Sequence, residues 1–408
     1  MPNISFSKPM SIIGDIFRPL DKKSAQVETT PAPFTNRPRP DGLPVCHRSG
    51  AAISSKIRTQ WHDQQLAGNQ GGQAYEALQD NGDNKGQLER FGHRLMKQVA
   101  NSSAHHQLSE RMSATRGLEG SEKRKVYSDF SKNIVEPLAY DHYTRHGQSS
   151  SLACQTQDCR NTMTELKNLK KSGLKVQSQA LDHTVFRKLP TLLPMELFNA
   201  NSQTALLSNY RVFAPVAAGY PPSPSPMLTP RGMLESRYSV GIEAGMQGEL
   251  VKLLPEIMRL YGGAINQVKV TAPQTQGVRP DGVIFYFARP DENRAISNDL
   301  ARYLRSRLPN AKWRPPPDCM LEISNEGGTI GGYGETFTGN GVNHSFGSQR
   351  TELVANAIVN SLAQTGNDFH EAKTLFRAEL KHELERAGYD PDCPALVSRK
   401  ELLLLEQQ

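Results

Sequence analysis

Long apolar runs are missing from this 408-residue chain, and with them any stretch able to cross a bilayer as a helix. Cysteine is scarce too. Cys46, Cys154, Cys159, Cys319 and Cys393 are the only five, an odd and scattered set that argues against a disulfide framework and suits a reducing compartment. Cys154 and Cys159 have no second pair at ligand spacing, so no metal site is expected. Aromatic residues make up 7%, hydrophobic residues 37%, and the mean hydropathy is -0.56. Those values fall below a typical globular average, so part of the chain is not expected to pack. Familiar catalytic signatures are absent as well: there is no HExxH, no nucleophile elbow and no kinase set. The glycine-rich GGTIGGYG at 327–334 matches neither a dinucleotide fingerprint nor a phosphate-cradling loop with its Lys, and it reads as a flexible loop.

The charge is basic, net +7 with a pI near 9.1, but acids and bases are interspersed. The densest basic run holds Lys167, Lys170, Lys171 and Lys175. No aromatic residue interleaves with it, which favours a solvated helix face over a nucleic-acid surface.

The first 120 residues read as a leader. TTPAPFTNRPRPDGLP, GNQGGQ and DNGDNKGQ are Pro-, Gly- and Asn-rich and bury too little apolar surface to offset their ordering entropy. The start, MPNISFSKPMSIIGDIF, lacks a secretory signal's charged start, apolar centre and small-residue cleavage site. It is rich in Ser, Asn, Pro and Ile, with a first acidic residue at Asp15. That composition is the look of a type III secretion leader. An amphipathic piece from Leu88 to Val99 is suited to docking on a partner.

From 121 to 400 the periodicity is firmer. Phe130, Ile134, Leu138 and Tyr140 mark a helix expected to break near Pro137. Tyr238, Val240 and Ile242 alternate as a strand, then Leu250, Leu254, Ile257 and Tyr261 form a helical stripe. Val268 and Val270, GVIFYFA at 282–288 and Met320 to Ile323 read as further strands, and Ile296 to Leu308 as a helix. The end is helical, with Gly388 placed for a C-terminal cap. The expected fold is α+β: a mixed or antiparallel sheet flanked by helices.

Two stretches concentrate chemistry. VKVTAPQTQGVRPDGVIFYF at 268–287 places Lys269 on one strand, and Arg279 with Asp281 just before the next. GETFTGNGVNHSFGSQR at 334–350 places Glu335, His344, Ser345 and Arg350 where a loop turns into a helix. Backbone amides at a helix start attract anions, and an arginine adds a bidentate fork. Together with SRYSVGIEAG, YGE and the closing ERAGYDPDCPAL, these segments resemble the HopA (HrmA) family of type III secretion effectors, in order, from about Tyr127 onward. The Arg279–Asp281–Tyr286 and Ser345–Arg350 patterns are also similar to lyase components of lanthipeptide and thioamitide biosynthesis.

The resemblance implies a virulence effector delivered to the host cell cytoplasm, where it acts on host signalling or immunity. It implies a secretion chaperone bound to the leader and a host protein target; nucleic acid and a membrane span are not expected. The lyase relatives imply elimination of phosphate from phospho-Ser or phospho-Thr with no cofactor. In that scheme Lys269 is the base and Arg279, Arg350 and Ser345 hold phosphate. His344 is a candidate acid, with Tyr286 and Glu335 as orienting groups. A second reading stays open: a non-catalytic effector that grips a phosphorylated or acidic host protein through a cationic groove.

Overall fold

The computed structural model describes residues 84–101, 106–107, 110, 113, 121–145, 155–180, 199–214, 227–229, 231–287, 290–325, 328–338, 345–365 and 368–406. Most of the expected leader, and His344, lie outside them. In chain order the elements begin with α1 (Asn84–Ala100), α2 (Ser121–Phe130), α3 (Glu136–Arg145) and α4 (Thr156–Lys171). Then come β1 (Lys175–Ala180), α5 (Ala200–Leu206), β2 (Ser208–Phe213), β3 (Met227–Thr229), β4 (Gly232–Ile242) and α6 (Ala244–Tyr261). β5 (Ile265–Val270), β6 (Val283–Phe287), α7 (Pro290–Arg307), β7 (Trp313–Arg314), β8 (Leu321–Asn325) and β9 (Gly328–Thr338) follow. The chain closes with α8 (Phe346–Gln364), α9 (Phe369–Ala387) and α10 (Arg399–Glu406). No described helix is long and apolar enough to cross a membrane.

The fold is α+β, and every strand pairing in its nine-stranded sheet is antiparallel, in the order β1-β2-β5-β6-β4-β9-β8 with β3 and β7 both on β4. Side chains alternate across such a sheet, so each strand supplies two different faces. Val212, Val268, Val270, Phe285, Phe287, Tyr238 and Val240 pack with α4, α6 and α7 in one hydrophobic core. A second core is mainly helical: α1, α3, α8 and α9 close on one another and on Leu234 and Phe337 at the ends of β4 and β9.

Several local findings differ from the sequence expectations. The Leu88–Val99 stripe docks within the molecule: Leu88, Phe91, Leu95 and Val99 are buried in the helical core. Gly92 permits that approach, since a Cβ there would lie 2.1 Å from the Phe376 ring. Pro137 does not break its helix. A π-helical turn, Ser131–Val135, joins α2 directly to α3, with the Glu136 amide donating back to the Ser131 carbonyl, and the proline follows this widened turn, where the regular hydrogen-bond ladder is already shifted.

The glycine-rich run is not a loop; its residues from Gly328 onward form β9, a strand inside the sheet. Close approach explains its glycines. A Cβ on Gly331, at φ +116°, would sit 2.3 Å from the Ser239 carbonyl oxygen, and one on Gly334 would sit 2.4 Å from the Phe346 ring. Small residues let neighbouring backbone and an aromatic ring close onto the strand.

Cys319 and Cys393 are buried thiols that form no disulfide, whereas Cys159 is disulfide-bonded. The chain therefore carries a bridge that the sequence reading did not foresee. With Cys159 so bonded, the 3.3 Å approach of its sulfur to the Pro273 carbonyl oxygen is a packing contact, because no thiol proton remains to donate.

Candidate functional site

The sheet register assembles charge that is scattered in sequence. Lys269 on β5 stands directly opposite Arg211 on β2 and Ile284 on β6. Tyr286 on β6 stands opposite Arg237 on β4 and Gln267 on β5. Direct antiparallel partners point to the same side, so Lys269, Arg211, Tyr286 and Arg237 share the face turned away from the Val268–Phe285–Tyr238 core.

The segment carrying Arg279 is a connection buried along its whole length, residues 271–282. Such a loop needs partners for its polar groups. The Asn209 side chain accepts from the Ala272 amide at 3.0 Å, Thr162 donates to Gln276 at 3.2 Å, and a 3₁₀ turn spans Pro273–Thr275. At its end Arg279 Nε and Nη2 donate to the two Asp281 oxygens at 2.7 and 2.9 Å. Arg237 Nη2 donates to Glu235 at 2.9 Å, and its guanidinium lies 4.9 Å from the centre of the Tyr286 ring. Its Nε is buried with no hydrogen-bond partner.

These groups set one another's protonation. Lys269 is half-buried, and its amine is pushed down to about 8, first by burial and then by the Arg279 charge, with Arg237 and Arg211 adding and Asp281 opposing. Among the described residues no hydrogen-bond or ion-pair partner meets its Nζ. Arg279 runs the other way: burial works against its charge, but Asp281 more than compensates and holds it protonated. Burial raises Tyr286, while Arg237 pulls it back. Tyr143 of α3 is also raised, mainly by burial, and feels Cys319, Asp281 and Arg237. Its ring packs over Gly347 in the first turn of α8, where a Cβ would lie 2.4 Å away. The start of α8 and the tyrosines of α3 thus roof the cationic face.

The other candidates are placed differently. Arg350 is fully buried and committed to structure: Nε donates to the Pro394 carbonyl at 2.7 Å and Nη2 to the Glu335 carbonyl at 2.8 Å. Its guanidinium lies between the rings of Tyr389 and Phe346, 3.5 and 4.5 Å from their centres. The Phe346 ring is also 5.7 Å from the Arg237 guanidinium, so one aromatic ring stands between Arg350 and the cluster. Glu335 accepts from the Tyr333 hydroxyl at 3.0 Å and the Val397 amide at 2.9 Å. That carboxylate ties β9 to the closing loop. Ser345 is the N-cap of α8, accepting from the Ser348 amide at 3.2 Å. The structure therefore brings together Lys269, Arg279 and Tyr286, and sets Arg350, Glu335 and Ser345 in the scaffold beside them.

Sequence reasoning missed Arg237, Arg211 and Tyr143. Arg237 left a signal, a lone arginine inside the alternating strand SRYSVGI, where a charge is costly without a purpose. No group of three or more His, Cys, Asp or Glu among the described residues is placed to hold a metal. Cavities of about 370 and 670 Å³ lie elsewhere, and neither is lined by Lys269, Arg279 or Tyr286. What the cluster offers is an unpartnered, easily neutralised amine beside fixed cations and phenol donors, an arrangement suited to an anion and an acidic C–H bond.

The sequence profile of the HopA1 effector protein family matches residues 331–396. Two solved structures are similar over most of their length. The effector protein from Pseudomonas syringae pv. tomato strain DC3000 is 19% identical, with 74% of this chain and 99% of that one covered at a TM-score of 0.44. The effector protein from Pseudomonas syringae pv. syringae strain 61 is 18% identical, with 72% and 98% covered at a TM-score of 0.46. No curated protein matches the chain.

Proposed function

Because the chain is related to the HopA1 effectors through residues 331–396, we propose that it is a type III secreted effector which acts in the host cell by eliminating phosphate from phospho-Ser or phospho-Thr of a host protein. The observation that carries this reading is Lys269, an unpaired amine pushed down to about 8 beside Arg279. In the elimination the neutral amine of Lys269 takes the Cα proton. The electrons of that C–H bond form the Cα=Cβ bond, the Cβ–O bond breaks, and its pair leaves with the phosphate. Arg279 and Arg237 face the departing charge, and the Tyr286 hydroxyl donates to a phosphate oxygen. No redox or metal step is required by that balance. The products are a dehydrated side chain and inorganic phosphate.

The test is incubation of the full chain with phosphothreonine peptides, read by mass spectrometry. Loss of phosphoric acid with wild type, absent with Lys269→Ala, is the expected result. Only the unprotonated amine is active, so the rate should rise with pH and level off above about 8. Identical spectra for wild type and Lys269→Ala would end the lyase reading.

One observation favours a second reading. Arg279 and Arg237 each already hold a carboxylate of this chain, Asp281 and Glu235. A cationic face neutralised in this way suits a non-catalytic effector that retains a phosphorylated or acidic host segment. In that case phosphopeptides would bind and be recovered unchanged.

A further inference from the structure

A groove of about 670 Å³ opens between the α2–π-turn segment and α9, with α8 as its floor, and it contains none of the cationic cluster. Three carboxamides line that floor: Asn356, Asn360 and Gln364. They fall four residues apart on one helix, so they share a face and rise by about 6 Å per step. Two residues of an extended peptide span about 6.6 Å. A carboxamide carries one acceptor oxygen and an NH₂ donor, the complement of a peptide unit. The repeat of the floor therefore matches every second peptide group of an extended chain.

The hydrogen bonds inside the protein leave this ladder open in the required way. Ser131, buried at the start of the π-turn, donates to Asn356 Oδ1 at 2.6 Å, which fixes the amide and leaves its NH₂ without a hydrogen-bond partner among the described residues. The extra residue of a π-turn shifts the side chains that follow, and such turns recur at functional sites. Among the described residues Asn360 meets no hydrogen-bond partner at all. Gln364 donates to Glu379 at 2.7 Å, and its carbonyl oxygen meets no donor among the described residues. Both asparagines are only partly exposed, where an unmet amide is costly. On one wall Arg124 is exposed and has no ion-pair partner among the described residues; on the other Arg386 is paired to Glu383.

We propose that this groove is a second binding site, which grips the main chain of an extended peptide segment through the Asn356–Asn360–Gln364 ladder and places an acidic side chain of that segment against Arg124. The site is independent of the chemistry at Lys269 and would serve to hold a protein partner.

The test uses the full chain with its side-chain amide groups observed by NMR. The probe is a degenerate pool of short acetylated peptides with one fixed central Asp, added to millimolar concentration. The expected result is a saturable shift of the Asn356 and Asn360 NH₂ signals, lost when the pool is built from N-methylated residues. Asn360→Ala should weaken the interaction about tenfold, with an unchanged circular dichroism spectrum. Replacing the fixed Asp by Lys should weaken it as well. No saturable shift, or equal shifts with the normal and N-methylated pools, would overturn the proposal; the second outcome would mean that the groove holds only solvent and loosely associated charge.

Discussion

Arg350 and Lys269 are cations some way inside the same domain, yet the protein treats them in opposite ways. Around Arg350 two backbone carbonyls take Nε and Nη2 and two aromatic rings flank the guanidinium, leaving only Nη1 buried without a hydrogen-bond partner among the described residues. Around Lys269 burial and the charges of Arg279, Arg237 and Arg211 lower its proton affinity, Asp281 offsets them only in part, and none of these groups hydrogen-bonds to it. A buried charge wrapped in acceptors holds a fold together; one left beside like charges lowers stability and is kept for some other reason. Burial alone therefore does not distinguish scaffold from site. The identity of the neighbours does.

That contrast can be broken by mutation. Arg350→Ala should be the most damaging change, because it strips two carbonyls and two rings of their shared partner. A loss of about 3–5 kcal/mol is expected in urea unfolding, and a loss under 1 kcal/mol would remove Arg350 from the scaffold.

Lys269→Met should act in the reverse direction. The amine's proton affinity is lower in the folded protein than in the unfolded chain, so the unfolded state binds more protons between about pH 8 and the ordinary lysine value of 10.5. Wild-type stability therefore climbs through that window, and below it the buried charge is a full cost. Methionine should stabilise the protein by roughly 1–3 kcal/mol at pH 7, with the gain shrinking as pH rises past 8, while abolishing any elimination. Equal urea midpoints for wild type and variant at pH 7 would contradict the assigned environment.

Glu335→Gln keeps the size of the side chain but replaces one acceptor oxygen with an NH₂ donor, so the bond with Tyr333 must reverse and both contacts lose the carboxylate's charge. About 1–2 kcal/mol should be lost, and activity on a phosphopeptide should persist in the folded fraction. A large fall in turnover with normal stability would return Glu335 to the catalytic set. The smallest effect belongs to Ser345→Ala, about 1 kcal/mol for an N-cap, readable as a modest drop in melting temperature.

How far the chain alone revealed this depends on the kind of interaction. Strands such as GVIFYF and the Leu250–Tyr261 helix were legible because periodicity follows directly from which face is buried. Lys269, Arg279 and Tyr286 were legible as unusual residues in or beside strands. β9 was not, since glycine in a strand interior answers to neighbours supplied by distant segments: Ser239 at Gly331, and Phe346 at Gly334. Arg350 and Glu335 drew attention by charge, but their partners include the Pro394 carbonyl and the Val397 amide of the closing loop, which no local pattern announces. Arg237 joined the cluster only through the pairing of β4 with β6, and strand order is a global property.

The docking of α1 bears on where this protein can be cut. Glu89 pairs with Arg377 at 2.9 Å and Arg94 with Asp318 at 2.7 Å, while Phe91 and Leu95 of the same helix fill the space over Phe376 and its neighbours. A shortened version starting at residue 121 would bare a greasy strip along α9 and tend to self-associate. One starting just ahead of Asn84 keeps that strip covered, and is the sensible minimal unit for crystallisation or solution work.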